Sequence, residues 1–167
     1  MTAVETTMAD RFKAAFRSHP AGVALITANG PHGPVGLTAS SVASVAVDPT
    51  TLVFSVTRSS GSAGDILAAD RLVVHLLRAE NVEVARAFAR SGEPRFTAEQ
   101  RWTTLPTGEP LLASAPVAML ARPIHQVAVG SSTLVVAEVL DVIEGEPGTP
   151  LVYHDRLFHS LGGETVL

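Results

Sequence analysis

Residues 117–143 read VAMLARPIHQVAVGSSTLVVAEVLDVI, and this stretch decides the fold class. Residues 117–129 and 133–143 are long runs rich in Val, Leu and Ile, and Gly130-Ser131-Ser132 between them is turn chemistry, so the two runs are expected to pair as antiparallel strands. Upstream, residues 51–57 (TLVFSVT) and 72–77 (LVVHLL) are further β-rich runs. Residues 22–29 (GVALITAN) and 35–40 (VGLTAS) flank Gly30-Pro31-His32-Gly33-Pro34, which suits a hairpin. Downstream, residues 144–150 are turn-forming and residues 151–153 predict a last short strand before a mobile tail. Helical signals are fewer. Phe12, Ala15 and Phe16 fall at helical spacing within residues 7–17, and Pro20 ends that helix. Ser62-Ala63-Gly64-Asp65 looks like a second helix start, and a third helix is expected over residues 82–90. Residues 96–116 contain Pro106, Gly108, Pro110 and Pro116 and are expected to cross the surface irregularly. Five or six strands with a few peripheral helices predict a mainly β, antiparallel, closed or partly closed barrel, since small strand-rich domains must remove their edges. Neither an internal repeat nor a linker divides the chain, so residues 1–167 are read as one domain with its core over about residues 10–160.

Composition narrows the function classes. With 167 residues, area scaling predicts that about 69 % of the unfolded surface is buried on folding, enough for one real core. The chain is 46 % hydrophobic and 17 % charged, too apolar for disorder, yet it has no run near the roughly 20 apolar residues that span a bilayer. It has no cysteine, which excludes disulfides, thiol nucleophiles and Cys-based zinc sites. The first residues, MTAVETTMADRFK, have acids before bases and no apolar core, so no signal peptide is read there and the cytoplasm is the expected location. The net charge is −4, and Lys13 is the single lysine among cations spread along the chain; a nucleic-acid partner lacks its electrostatic footprint.

Several chemical motifs fail on spacing. Gly30, Gly33 and Gly36 are interrupted by Pro31 and Pro34 and cannot open a dinucleotide-binding helix. Six histidines, His19, His32, His75, His125, His154 and His159, form no i,i+4 pair or tight cluster, so no metal site is expected. There is no G-x-S-x-G elbow for a hydrolase. Two hydroxyl-rich patches remain, Thr38-Ala39-Ser40-Ser41 and Ser59-Ser60-Gly61-Ser62, the second preceded by Arg58. Small side chains admit a flat ring or a phosphate to the backbone, hydroxyls donate to phosphate oxygens, and an arginine fork supplies charge. Strand termination and helix capping fit the same spacing, and better. The residue types alone leave both readings open.

At these residues the chain resembles the small flavin reductases with an FMN-binding split barrel, which serve two-component monooxygenases. The resemblance covers nearly the whole sequence. It runs through Phe16-Arg17, Gly22-Val23-Ala24-Leu25-Ile26-Thr27, Gly36-Leu37-Thr38-Ala39-Ser40-Ser41, Asp48-Pro49, Leu52-Val53-Phe54-Ser55-Val56, Phe88-Ala89, Arg95-Phe96, Gly108-Glu109-Pro110-Leu111 and Pro150-Leu151-Val152-Tyr153-His154. It implies a homodimer of split barrels and hydride transfer from NADH or NADPH to FMN or FAD, with reduced flavin passing to an oxygenase. By position it implies that Thr38, Ala39, Ser40 and Ser41 lie along the flavin ring and ribityl chain, that Ser59 and Ser60 meet the phosphate, and that Tyr153 and the Arg95-Phe96 segment lie on the cofactor side. Arg58 is added as a phosphate partner on chemical grounds. The protein needs no acid–base triad for this, because the cofactors carry the chemistry. Two positions depart from the family pattern. Gly130-Ser131-Ser132 stands where relatives carry Gly-Asp-His, and His75 stands where they carry Asn, so His75, Ser131, Ser132 and the nearby His125 are the expected nicotinamide-side residues. These departures sustain an alternative, a flavin-binding protein of the same fold with altered pyridine-nucleotide reactivity, and, further off, a cofactor-free scaffold.

Overall fold

The computed structural model describes residues 6–57 and 60–162. The first helix, α1 (Met8–Arg17), opens with a reciprocal cap: the Asp10 N–H donates to Thr7 Oγ1 and the Thr7 N–H to Asp10 Oδ2, both at 3.2 Å. The hydrogen bond from the Thr7 hydroxyl holds the Asp10 carboxyl below its usual range. α1 buries none of its residues, and Met8, Phe12 and Phe16 remain exposed.

After Pro20 come β1 (Ala21–Gly22) and β2 (Ala24–Gly30), and Pro31-His32 turns β2 into β3 (Gly33–Ala39). β4 (Ala43–Val47) and β5 (Thr50–Thr57) pair across the cis Asp48–Pro49 bond, followed by α2 (Ser62–Ala68), β6 (Leu72–Leu76) and α3 (Val82–Ala89). The chain continues through β7 (Trp102–Thr104), β8 (Pro110–Leu112), β9 (Val117–Val129), β10 (Ser132–Glu144), β11 (Leu151–His154) and β12 (Leu157–Ser160). Seven strands form one sheet in the order β3-β2-β6-β9-β10-β5-β4, with a three-stranded sheet β1-β11-β12 and a β7-β8 pair beside it. The large sheet curls. Ser41, just past β3, donates its hydroxyl to the Ser55 carbonyl on β5 at 3.2 Å and accepts the Ser55 N–H at 3.0 Å, so the barrel is partly closed by a side chain rather than by a strand ladder.

The local patterns explain this arrangement. β2 reads as an unbroken apolar run because both of its faces are covered: Ala24, Ile26 and Ala28 point into the barrel with Phe54, Leu72 and Val135, while Leu25 and the preceding Val23 join a second cluster with Phe88, Leu112 and Leu151. β9 and β10 pair as the sequence predicts, across a two-residue turn in which Gly130 takes φ 57°, the conformation that the first position of a tight hairpin requires. Register shifts between Val136 and Ala137 and between Val139 and Asp141 bend this hairpin. Beyond Ala121 the β9 side of its outer half is exposed apart from half-buried Pro123, while β10 opposite keeps Val135 and Ala137 in the core.

Residues 96–116 depart from the expected irregular connection. They hold a 3₁₀ turn (Ala98–Gln100) and the β7–β8 hairpin, with Leu112 buried. Pro106 and Gly108 lie in the hairpin turn and Pro110 opens β8, and two buried side chains take the hairpin's backbone groups: the Thr27 hydroxyl donates to the Pro110 carbonyl at 2.8 Å, and the Leu112 N–H donates to His75 Nε2 at 3.0 Å. The expected tail after residue 153 contains β12, joined to β11 through Asp155-Arg156.

Candidate functional site

β3 is an edge strand of the large sheet, so its outward backbone N–H and C=O groups have no strand partner. α3 lies over it at close range. A Cβ at Gly36 would stand 2.7 Å from Phe88 Cε1, which is why glycine occupies that position, and the Thr38 hydroxyl donates to the Ala85 carbonyl at 2.7 Å. Between this wall and β5 runs a groove of about 890 Å³, lined by Thr38, Ser40 and Ser41, by Ser55, Val56 and Thr57, by residues 60–63, and by Ala89, Arg90 and Arg95. On the other side of Thr38 and Ser40 is a cleft of about 580 Å³, lined by Val23, Ala39, Glu83, Arg86, Arg90, Tyr153, Arg156 and Phe158. The two cavities share Thr38, Ser40, Ala89 and Arg90. Both volumes fall in the range typical of small-molecule sites.

Arg95 organises the base of the groove. Its guanidinium donates to the Gly36 carbonyl (3.3 Å), the Ser62 hydroxyl (3.2 Å), the Ala87 carbonyl (3.3 Å) and the Arg90 carbonyl (2.6 Å), and its Cζ lies 5.4 Å from the Phe88 ring centroid. All four acceptors are neutral. Among the described residues Arg95 makes no ion pair, so its charge is left for an anion in the groove.

Residues 16–162 match the family described as flavin reductase like domain. The chain belongs to this family. The flavin reductase-like chain is 38 % identical to a protein named NADH:FMN oxidoreductase from Rhodococcus qingshengii, over 89 % of this chain and 79 % of that one. It is 35 % identical to the 4-hydroxyphenylacetate 3-monooxygenase reductase component of Pseudomonas aeruginosa, over 90 % of each. The crystal structure of a flavin reductase domain protein from Arthrobacter sp. FB24 superposes with a TM-score of 0.87 at 34 % identity, covering 96 % of this chain and 100 % of that one. The split barrel that the resemblance implied is the fold these reductases share, and it agrees with the partly closed antiparallel barrel expected from the strand pattern.

The two connected cavities gather Thr38, Ala39, Ser40, Ser41, Ser60 and Tyr153. The hydroxyls of Thr38 and Ser41 are already committed to Ala85 and Ser55, so Ser40, with no hydrogen bond of its own among the described residues, is the free hydroxyl of that stretch. Arg58 and Ser59 lie outside the described residues. Small side chains, an open strand edge, the Ser60 and Ser62 hydroxyls and the unopposed Arg95 charge form a donor set that suits a flat ring carrying a phosphate.

Other expected residues sit elsewhere. His75 is not on a nicotinamide face: it is fully buried, Nδ1–H donates to the Leu25 carbonyl at 3.0 Å, and Nε2 accepts the Leu112 N–H at 3.0 Å. Burial lowers its pKa to about 4, so the ring is neutral and both nitrogens are used inside the fold. Phe96, at φ 56°, turns away from the groove and packs its ring against Phe88 and Trp102, with centroids 5.0 and 4.7 Å away. His125 is exposed on β9 opposite Val136, and Ser131 is at the hairpin tip; neither lines the two cavities. Ser132 comes nearer, its hydroxyl 3.1 Å from that of Thr57, a groove residue. Arg86, Arg90 and Arg156 escaped the sequence reading. On α3 and at its end, Glu83, Arg86 and Arg90 follow helical spacing and look like an ordinary solvated face.

Proposed function

We propose that this chain is an NAD(P)H-dependent flavin reductase that binds FMN in the groove beside residues 38–41 and supplies reduced flavin to a monooxygenase. The observation that carries the reading is the open edge of β3 facing Ser60, Ser62 and an unpaired Arg95 across a small-molecule groove. The names of the 38 % and 35 % identical relatives supply the reaction, the flavin and the kind of partner. When bound, the flavin supplies the hydride acceptor. The chain's own work is to hold the ring along β3, to anchor the phosphate by charge, and to keep water from the contact between flavin and nicotinamide.

The test is aerobic oxidation of NADH and NADPH by the purified protein with and without added FMN, FAD and riboflavin. Turnover dependent on added flavin is the expected result. Flavin binding without nicotinamide oxidation would overturn the reductase reading in favour of a flavin-binding protein with altered nucleotide reactivity.

The reading includes one domain over residues 1–167, a cytoplasmic setting and a homodimer. Among the described residues no helix is long and apolar enough to cross a membrane. Support for a second copy comes from the outer half of the β9–β10 hairpin, where the cross-strand pair Val127 and Leu134 is exposed together with Ile124 and Val129. Val127→Asp is expected to convert the dimer to a monomer in light scattering at micromolar concentration while the circular dichroism stays unchanged. A dimer surviving the substitution would place the interface elsewhere.

A further inference from the structure

The smaller cleft is more basic than a flavin ring requires. Three guanidiniums, those of Arg86, Arg90 and Arg156, line it against one carboxylate, Glu83, which pairs with Arg86 at 2.6 Å. Among the described residues Arg90 and Arg156 make no ion pair. Two positive charges are thus left unopposed beside the rim formed by Thr38 and Ser40, where this cleft meets the flavin groove.

Arg156 is held there at a conformational cost. Asp155 and Arg156 make the two-residue turn between β11 and β12, with φ of 49° and 66°, a left-handed region that arginine rarely adopts and that glycine would fill freely. The turn is fixed from outside: Arg17, the last residue of α1, forms an ion pair with the Asp155 carboxylate, and the Asp155 N–H donates to the Arg17 carbonyl at 3.0 Å. The Arg17 hydrogen bond holds the Asp155 carboxyl below its usual range. A turn kept in this form by a distant helix, with an unpaired cation at its second position, is the kind of strain that a ligand site retains.

We propose that Arg86, Arg90 and Arg156 form an anion subsite for the diphosphate of the pyridine dinucleotide, with Arg17 and Asp155 as positioning residues for Arg156; this rests on the reductase reading above. The diphosphate of NADH carries two negative charges, matching the two unopposed positive ones, and guanidinium forks suit its geometry.

The experiment is calorimetric titration with ADP-ribose, which has the diphosphate but no nicotinamide, into wild type and Arg156→Gln, beside steady-state NADH kinetics at saturating FMN. Arg156→Gln is expected to weaken ADP-ribose and raise the NADH KM by about tenfold, the loss of one charged hydrogen bond, with kcat within about twofold and FMN affinity unchanged. Arg156→Lys should recover part of the loss, and Asp155→Asn should raise KM in the same direction. Arg86→Gln, on a regular helix, should reproduce the effect without disturbing the turn. Unchanged ADP-ribose affinity and NADH KM in both arginine variants would overturn the subsite. If those variants behaved like wild type while FMN-dependent NADH oxidation persisted, the reductase reading would stand without it; ADP-ribose affinity lost in the variants of a protein that never oxidises NADH would support the subsite and sink the reductase reading.

Discussion

Replacing His75 with leucine is expected to lower the folding free energy by about 3–5 kcal/mol, read as a lower urea midpoint with an unchanged slope. The ring sits between two backbones. It accepts the Leu112 N–H and donates to the Leu25 carbonyl, so leucine would leave a buried donor and a buried acceptor unpartnered, each costing about 1–3 kcal/mol. The imidazole also stands edge-on to Trp102, with centroids 6.1 Å apart, and Trp102 in turn packs on Phe88 beneath the groove wall. The same ring sets a pH dependence. Its pKa is about 4 in the fold against 6.5 when exposed, so below pH 6.5 the unfolded chain takes up a proton that the folded chain refuses. The His75 contribution should be fully present above pH 6.5 and fall by about 3 kcal/mol on acidification to pH 4, at about 1.4 kcal/mol for each pH unit. In the leucine variant this component should vanish. A loss below about 1 kcal/mol on substitution, with the acid dependence retained, would show that the bridge contributes little.

His75 also marks where sequence reasoning stops. Its strand was legible, because β6 alternates between Leu72 and Val74 in the barrel and Val73 and His75 on the opposite face. What the imidazole does was not, because its partners Leu25 and Leu112 are 50 and 37 residues away in the chain. The same division holds elsewhere. The hairpins at Pro31-His32 and Gly130-Ser131 are declared by turn residues next to their strands. β12 is hidden because Asp155-Arg156 makes a left-handed turn without glycine or asparagine, using an ion pair from Arg17 that lies 138 residues earlier. The β7–β8 hairpin is hidden because Pro106 and Gly108 signal loop, while its burial depends on Thr27 and His75. At the site, residues 38–41 were readable as a stretch of small hydroxyl side chains. Which hydroxyls are free was not, since Thr38 and Ser41 spend theirs on α3 and β5. Arg95, beyond the Ser91-Gly92 turn, becomes part of the groove only because α3 folds back over Gly36.

With Thr38 and Ser41 committed, Ser40 is the position whose substitution tests the flavin groove most directly. Ser41→Tyr would block the groove but also break the clamp on Ser55 that closes the barrel, and replacing Thr38 would release α3. Ser40 has neither duty. It follows the last residue of β3, is exposed, and lines both cavities, so a tyrosine there projects into open volume without removing a hydrogen bond. Ser40→Tyr is expected to weaken FMN at least about 100-fold, close to 3 kcal/mol, by filling the space the ring would occupy. Folding stability should stay within about 0.5 kcal/mol of wild type, as for a surface change that leaves no buried group unpaired. Ser40→Ala, which deletes only an exposed hydroxyl, should keep FMN affinity within about threefold. Quenching of flavin fluorescence measures the affinities, and urea unfolding of the same samples separates a blocked groove from a damaged fold. Undiminished FMN binding by a stably folded Ser40→Tyr would move the flavin away from β3, and with it the assignment of Arg95 as the counter-charge of its phosphate.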